Sequence, residues 1–295
     1  MEYLYLDHNI YIETLENMEL RERLKTLSKE NLQCVYSPAH IEEIYKVEAN
    51  ENSQHKDKMK ELMNIISEVT NNMEILPTDS ELMIMKEHPK QCYFRVKGID
   101  TREQVEQNGK IKFEVDTANY KRALAADKHN SFISTIEPDK IWEFPSIKAI
   151  INEFNENREK IISRYNSSLD VLFLELLNID KRLPDSFSLQ QGNFAILKSS
   201  HKQLEYTIEI LFRILNFSGY YAEKSEKTTI SGTHDVSHSI YATKADHIIT
   251  TDKRFAKKCQ AVYHFLGLNK LVIYCKQDKI IDEINKLLAS LNNAK

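Results

Sequence analysis

The chain has 295 residues, 41% hydrophobic and 28% charged, which is enough apolar material for a sizeable core in one large domain or two small ones. A formal net charge of -4 and a pI near 6.2 exclude a global basic field, so any polyanion-binding surface must be local. The start, MEYLYLDHNI, has no basic leader, no run of about 18 apolar residues occurs, and Cys34, Cys92, Cys259 and Cys275 form no C-x-x-C pair; a cytoplasmic protein with reduced, buried thiols and no membrane association is expected.

Glycine and proline number 6 each, too few turn formers for an all-β fold, so helix should dominate. YLYL before Asp7 reads as a short buried strand. It leads into IYIETLENMELRERLKTLSK, whose Ile12, Leu15, Leu20, Leu24 and Leu27 recur at roughly helical spacing. QCVYSP is a second apolar run, and AHIEEIYKVEANEN continues as helix, with Ser37 as cap and Pro38 at the first helical position. Residues 55 to 72 read as helix and MEILP as a brief strand, so residues 1–77 have the β-α-β-α order of an α/β domain. From about 78 to 200 the chain carries charged helical segments such as EPDKIWEFPSIKAIINEFNENREKIISRYN and DVLFLELLNIDKRL, expected to form a helical insertion with Trp142 and Phe144 as core anchors. The α/β pattern resumes over 201–295: the helix HKQLEYTIEILFRILNF, a polar loop EKSEKTTISGT, a helix, the strand HIITT, a further helix, the strand LNKLVIYC and a terminal amphipathic helix KIIDEINKLLASL.

The acidic residues fall at telling places on this framework. Asp7 and Asp252 each directly follow a strand, and the carboxyl ends of parallel strands open onto the crevice where ligands bind in α/β sheets. Glu42 and Glu43 lie about one and a half turns into the helix after the second strand, with Glu43, just before Ile44, the better candidate to face inward. Asp235 is read at the first turn of the helix ahead of HIITT, where the helix dipole favours a carboxylate. Like charges in one pocket raise one another's pKa unless a cation neutralises them, and all-oxygen ligands favour Mg²⁺ or Mn²⁺ over zinc. Such ions activate water and stabilise charge on phosphoryl oxygen, which is phosphodiester hydrolysis. Each acid also has a plain structural role open to it: Asp7 and Asp252 as N-caps, the Glu doublet on a solvated helix face, Asp235 as a dipole partner. Asp246 precedes its strand and is expected to point away from the crevice.

Three stretches resemble the PIN-like nuclease superfamily: Y-L-D-H-N-I-Y-I at 5–12, S-P-A-H-I-E-E-I at 37–44, and D-V-S-H-S-I-Y-A-T-K-A-D-H-I-I-T-T-D-K-R-F at 235–255. Together they cover under half of the chain, roughly 1–75 and 230–275. The resemblance implies a three-layer α/β/α core with a central parallel sheet. It implies Asp7, Glu43, Asp235 and Asp252 as metal-binding acids, with Asn9 and Thr250 as supporting polar groups, and an Mg²⁺- or Mn²⁺-dependent endoribonuclease acting on RNA rather than DNA. The family's habits add toxin or antiphage settings and a regulatory protein partner or homo-oligomer. The segment 78–200 departs from the compact family pattern, so substrate and partners do not carry over.

Other readings compete. His234-Asp235-x-x-His238 has the i, i+4 spacing of a helical zinc site, although zincins use Glu in the second position and His234 is expected at the frayed start of the helix. A His-Asp phosphohydrolase wants an all-helical surround, which HIITT and LVIYC oppose, and a non-catalytic PIN-like module binding RNA or protein would be expected to have lost an acid. His238, one turn after Asp235, is a candidate to face the acids. Lys244, Lys253, Arg254, Lys257 and Lys258 are candidates to steer an RNA backbone, or else form a solvated face.

Overall fold

The computed structural model describes residues 1–48, 53–78, 80–97, 128–156 and 187–293, with a few isolated residues between 98 and 127. Its strands are β1 (Glu2–Leu6), β2 (Leu32–Val35), β3 (Met73–Pro77), β4 (Leu82–Lys86), β5 (His247–Thr250) and β6 (Leu271–Tyr274). Four of them form one parallel sheet in the order β2-β1-β5-β6, so the first strand lies in the middle and the two ends of the chain meet along it. The helices are α1 (His8–Glu13), α2 (Met18–Thr26), α3 (Pro38–Glu48), α4 (Ser53–Thr70), α5 (Pro89–Lys97), α6 (Pro145–Glu156), α7 (Phe194–Leu197), α8 (His201–Phe217), α9 (Glu226–Ala242), α10 (Lys253–Leu266) and α11 (Ile280–Asn293).

Period-two alternation sends successive strand residues to opposite faces of the sheet, and both faces are buried. Leu4, Leu6, Leu32, Cys34 and Ile249 face a cluster built with Ile10, Tyr11, Leu62, Ile66 and Ile284. Tyr5, Val35, Ile248 and Val272 face the other cluster, with Ile208, Leu211, Phe255 and Val262. The molecule is therefore mixed α/β with helices against both faces of a parallel sheet. Trp142 belongs to the second cluster: its indole N–H donates to the Ala261 carbonyl at 2.7 Å and its ring lies 4.8 Å from that of Phe265. Phe144 packs on the same cluster, so both aromatics are anchors as expected.

Several elements differ from the sequence reading. The helix drawn through Ile12–Leu27 is two, because the Asn17 side chain accepts from the Leu20 amide and restarts the helix as α2. The stretch assigned to helix after 78 opens instead with strand β4, which pairs antiparallel with β3 and is turned back by Thr78, whose amide donates to the Glu81 carbonyl at 2.8 Å. A bridge from Tyr36 to Glu74 ties this hairpin to the end of β2. The expected polar loop 223–233 contains the start of α9 at Glu226, which places Asp235 and His234 well inside a helix rather than at its first turn. DVLFLELLNIDKRL lies outside the described residues. Gly267 caps α10 in the left-handed region at φ 73°, where the Gly192 amide donates to the Phe265 carbonyl at 2.7 Å and a Cβ on Gly267 would meet Gly192 Cα at 2.9 Å. The four cysteines are free and buried, and among the described residues no helix is long and apolar enough to cross a membrane.

Candidate functional site

The trailing edge of the sheet gathers the four predicted acids. Asp7 ends β1 and stands at the N-cap position of α1, yet its side chain makes no capping bond. Its Oδ2 instead accepts from the Thr250 hydroxyl at 2.7 Å, across the β1–β5 pair, and from Asn9 Nδ2 at 3.3 Å. Both supporting residues therefore address Asp7. Burial raises the Asp7 pKa, and the neighbouring Glu43 adds to the rise. Asp252 does cap α10: its Oδ1 accepts from the amides of Arg254 at 2.7 Å and Phe255 at 3.1 Å. Its Oδ2 remains, with Arg254 Nη2 at 3.9 Å. The Asp235 carboxyl is pushed up to about 7, chiefly by burial, with Asp252, Glu223 and Asp7 adding to the rise and Lys258 opposing it.

Glu43, rather than Glu42, faces this group. Its Oε1 is 2.7 Å from His238 Nε2 and its Oε2 is 4.0 Å from His8 Nε2. Burial alone would raise its pKa, but His8, His238 and His234 hold it well below the usual carboxylate range. Glu42 sits beside Glu43 and Glu205, and burial raises its pKa.

Behind Glu43 runs a chain of buried hydrogen bonds whose protons can be assigned in order. The Ser37 amide, which can only donate, points to His40 Nδ1 at 3.1 Å, so His40 carries its proton on Nε2 and donates it to the Leu6 carbonyl at 2.8 Å. Burial depresses the His40 pKa, consistent with this neutral ring. The Ser37 hydroxyl also donates to His40 Nδ1 at 3.2 Å and so accepts from Tyr5 Oη at 2.8 Å. Tyr5 Oη in turn accepts from His238 Nδ1 at 2.6 Å, and His238 Nε2 donates to Glu43. His238 is thus an imidazolium. Although burial lowers its pKa, the Glu43 bond and the charges of Glu43, Asp7 and Asp235 raise it further. Ser37, expected to cap α3, is part of this chain instead.

A second buried group adjoins Asp235. Lys258 is 0% exposed, and its Nζ donates to Glu223 Oε1 at 2.9 Å and Asn216 Oδ1 at 3.4 Å. Arg254 Nη1 lies 3.0 Å from Glu223 Oε2. These facts correct the list of steering cations. Lys258 is interior, Arg254 is paired with Glu223, and Lys257 pairs with Glu137 at 3.3 Å. Lys244 precedes β5 and stands at the opposite edge of the sheet from the acids, while Lys253 is exposed next to Asp252. Asp246 accepts from the Tyr3 amide at 2.8 Å on that opposite edge, away from the crevice as expected. Tyr5, Ser37, His40 and Glu223 carry no site signal in the sequence: a hydroxyl inside YLYL looks like core, and Glu223 follows no pattern. A signal for Lys258 was its place among Phe255, Cys259 and Val262 on the apolar side of α10.

Among the described residues no three His, Cys, Asp or Glu side chains stand together as a preformed metal site. The donor chemistry still fits a hard dication. Asp7 Oδ1, the Asp235 carboxyl and Asp252 Oδ2 accept no hydrogen bond among the described residues, and carboxylates that raise one another's pKa are what a cation relieves. The zinc pair fits poorly, because both His238 nitrogens are already engaged, Nδ1 with Tyr5 at 2.6 Å and Nε2 with Glu43 at 2.7 Å. No family model, no curated protein and no solved structure matches this chain.

Proposed function

We propose that this chain is a divalent-metal-dependent, PIN-like endoribonuclease that hydrolyses phosphodiester bonds in RNA. The observation carrying this reading is the meeting of Asp7, Glu43, Asp235 and Asp252, from separate elements, at the trailing edge of one parallel sheet, where Asp235 is pushed up to about 7. These four acids would hold Mg²⁺ or Mn²⁺. Such an ion, when bound, supplies a Lewis acid and an activated water for attack on phosphorus. The chain's own groups do the rest. Thr250 and Asn9 fix the Asp7 carboxylate by its Oδ2 and leave Oδ1 to the crevice. His238, held by Tyr5, fixes Glu43 and brings one positive charge beside the acids. Exposed Lys253 places a cation where an RNA backbone would approach Asp252.

The test is cleavage of labelled single-stranded RNA and DNA by the purified protein, with and without Mg²⁺ or Mn²⁺. RNA cutting should require the divalent ion and fall by roughly 100-fold or more in Asp7→Asn and in Asp252→Asn. Cutting that survives both substitutions, or that persists in chelator, would overturn the assignment. Metal-independent RNA binding with no cleavage would identify a non-catalytic module.

A further inference from the structure

The opposite edge of the sheet holds a cavity that the acid site does not use. It has a volume of about 250 Å³, is open to solvent on part of its boundary, and lies where Lys244 and Lys270 precede β5 and β6, bordered by Glu81, Leu82 and the start of α8. That space equals roughly eight waters, on the scale of a small ligand and not of a polymer strand.

Three lysines line it: Lys198, Lys244 and Lys270. Their carboxylate neighbours are loose. Lys244 Nζ is 3.7 Å from Glu81 and Lys270 Nζ is 3.7 Å from Asp246, both beyond hydrogen-bond reach, and Asp246 already accepts from the Tyr3 amide. Lys198 is exposed and has no ion pair among the described residues. His201 also lines the cavity; it is the first residue of a 17-residue helix whose N-cap, Ser200, makes no side-chain capping bond, while the His201 amide donates to the Ser80 carbonyl at 3.0 Å. His201 Nδ1 is buried without a hydrogen-bond partner, and burial keeps the ring neutral. A buried, unsatisfied ring nitrogen is costly, and with the ring proton on Nδ1 it would donate to an anionic oxygen of a ligand. The rest of the lining is mixed: Thr243 and Glu81, whose carboxylate is the one Lys244 faces, beside Phe194, Leu82 and Leu204, of which the two leucines are 5% and 3% exposed. A lining that combines three cations and a helix start with an aromatic and two leucines suits a ligand with an anionic group and a flat, apolar part.

We propose that this cavity is a second site, which binds a small phosphate monoester bearing a ring, of the nucleoside-monophosphate class. It stands apart from the acid cluster and holds whether or not that cluster cuts RNA. The probes are AMP and UMP, with adenosine and uridine as uncharged controls, titrated calorimetrically against the whole chain in EDTA so that no divalent ion can recruit nucleotide to the acids. Saturable binding is expected for at least one monophosphate, at least roughly tenfold tighter than its nucleoside, and weakened roughly tenfold or more in Lys198→Gln/Lys270→Gln. Lys198→Gln alone, at an exposed position, guards against a folding defect in the double variant and should weaken binding in the same direction. No saturation by either monophosphate up to about 10 mM, equal binding of nucleoside and nucleotide, or undiminished binding in the lysine variants would overturn the proposal.

Discussion

His238 takes its protonation state from its neighbours: the Tyr5 hydroxyl is committed to Ser37, so it accepts from Nδ1, while Glu43 accepts from Nε2. Long-range ¹⁵N–¹H spectra of the metal-free protein near pH 7 should therefore show His238 protonated on both nitrogens and His40 on Nε2 alone; a neutral His238 would break the assigned chain. The linkage signs follow. The raised His238 contributes stability that is full below about pH 6.5 and is lost as pH rises through its folded value, whereas the depressed Glu43 contributes above about pH 4.3 and is lost as pH falls through its own. Asp235 runs the other way. A carboxyl pushed up to about 7 binds more protons folded than unfolded, so its cost grows as pH rises from about 4 to 7. Asp235→Asn should stabilise the metal-free protein near pH 8 by at most about 4 kcal/mol, with little gain near pH 4, as read by urea unfolding. Added Mg²⁺ should narrow the difference by stabilising only the parent chain. Lys258→Met should destabilise by less than the ~3–5 kcal/mol of a fully unpaired buried charge, because it removes one of two cations from buried Glu223 and leaves Arg254. The acids were legible in the sequence through their joint placement at strand and helix ends, since each alone could be a cap or a dipole partner. Lys258 was not, since a K-R-x-x-K-K run reads as solvated until the apolar positions around it are counted.

At the scale of elements, strand and helix existence was legible wherever periodicity was strong: β1, β2, β5, β6, α8 and α11 fall where alternation or 3.6-residue spacing puts them. Helix α9 was read as starting too late because TTISGT is rich in β-branched residues, serine and glycine, which favour helix weakly. Packing overrides that preference at Gly232, where an added Cβ would lie 3.2 Å from Glu223 Oε1. Glu223 is gripped by Lys258 and Arg254 and cannot retreat. Gly232→Ala should thus lower the melting temperature, despite the gain of up to about 1 kcal/mol in helix propensity. Trp142 ties the stretch before α6 to α10, and Trp142→Ala should cost about 3–5 kcal/mol by cavity formation, measurable in urea. Strand β4 escaped notice because LMIMK is too short to show a period and its partner is the strand before it.

On the scale of the whole molecule, the site's legibility came from topology. Acids some 190 residues and more apart were predicted to meet, as the 195-residue separation between His238 and Glu43 illustrates, because parallel strands send their trailing ends to one edge. The cavity at the leading edge was not legible, since Lys198, Lys244 and Lys270 lie in three unrelated stretches with no shared pattern. A chain ending at residue 217 would retain β1 and β2 but lack β5, leaving one edge of the central strand bare. Such a fragment should sediment as aggregates, whereas a soluble monomeric fragment would show that the N-terminal half folds alone.

The position of β1 in the middle of the sheet also sets a clock. Asp7 is made before Thr250, its hydrogen-bond partner, which follows 243 residues later. At translation rates of about 5–20 residues per second, roughly 12–50 s pass before the two can meet. A ribosome-bound chain therefore carries Asp7 through that interval without the strand that completes the crevice. If the site cuts RNA, the message being read is out of its reach until the last strands emerge.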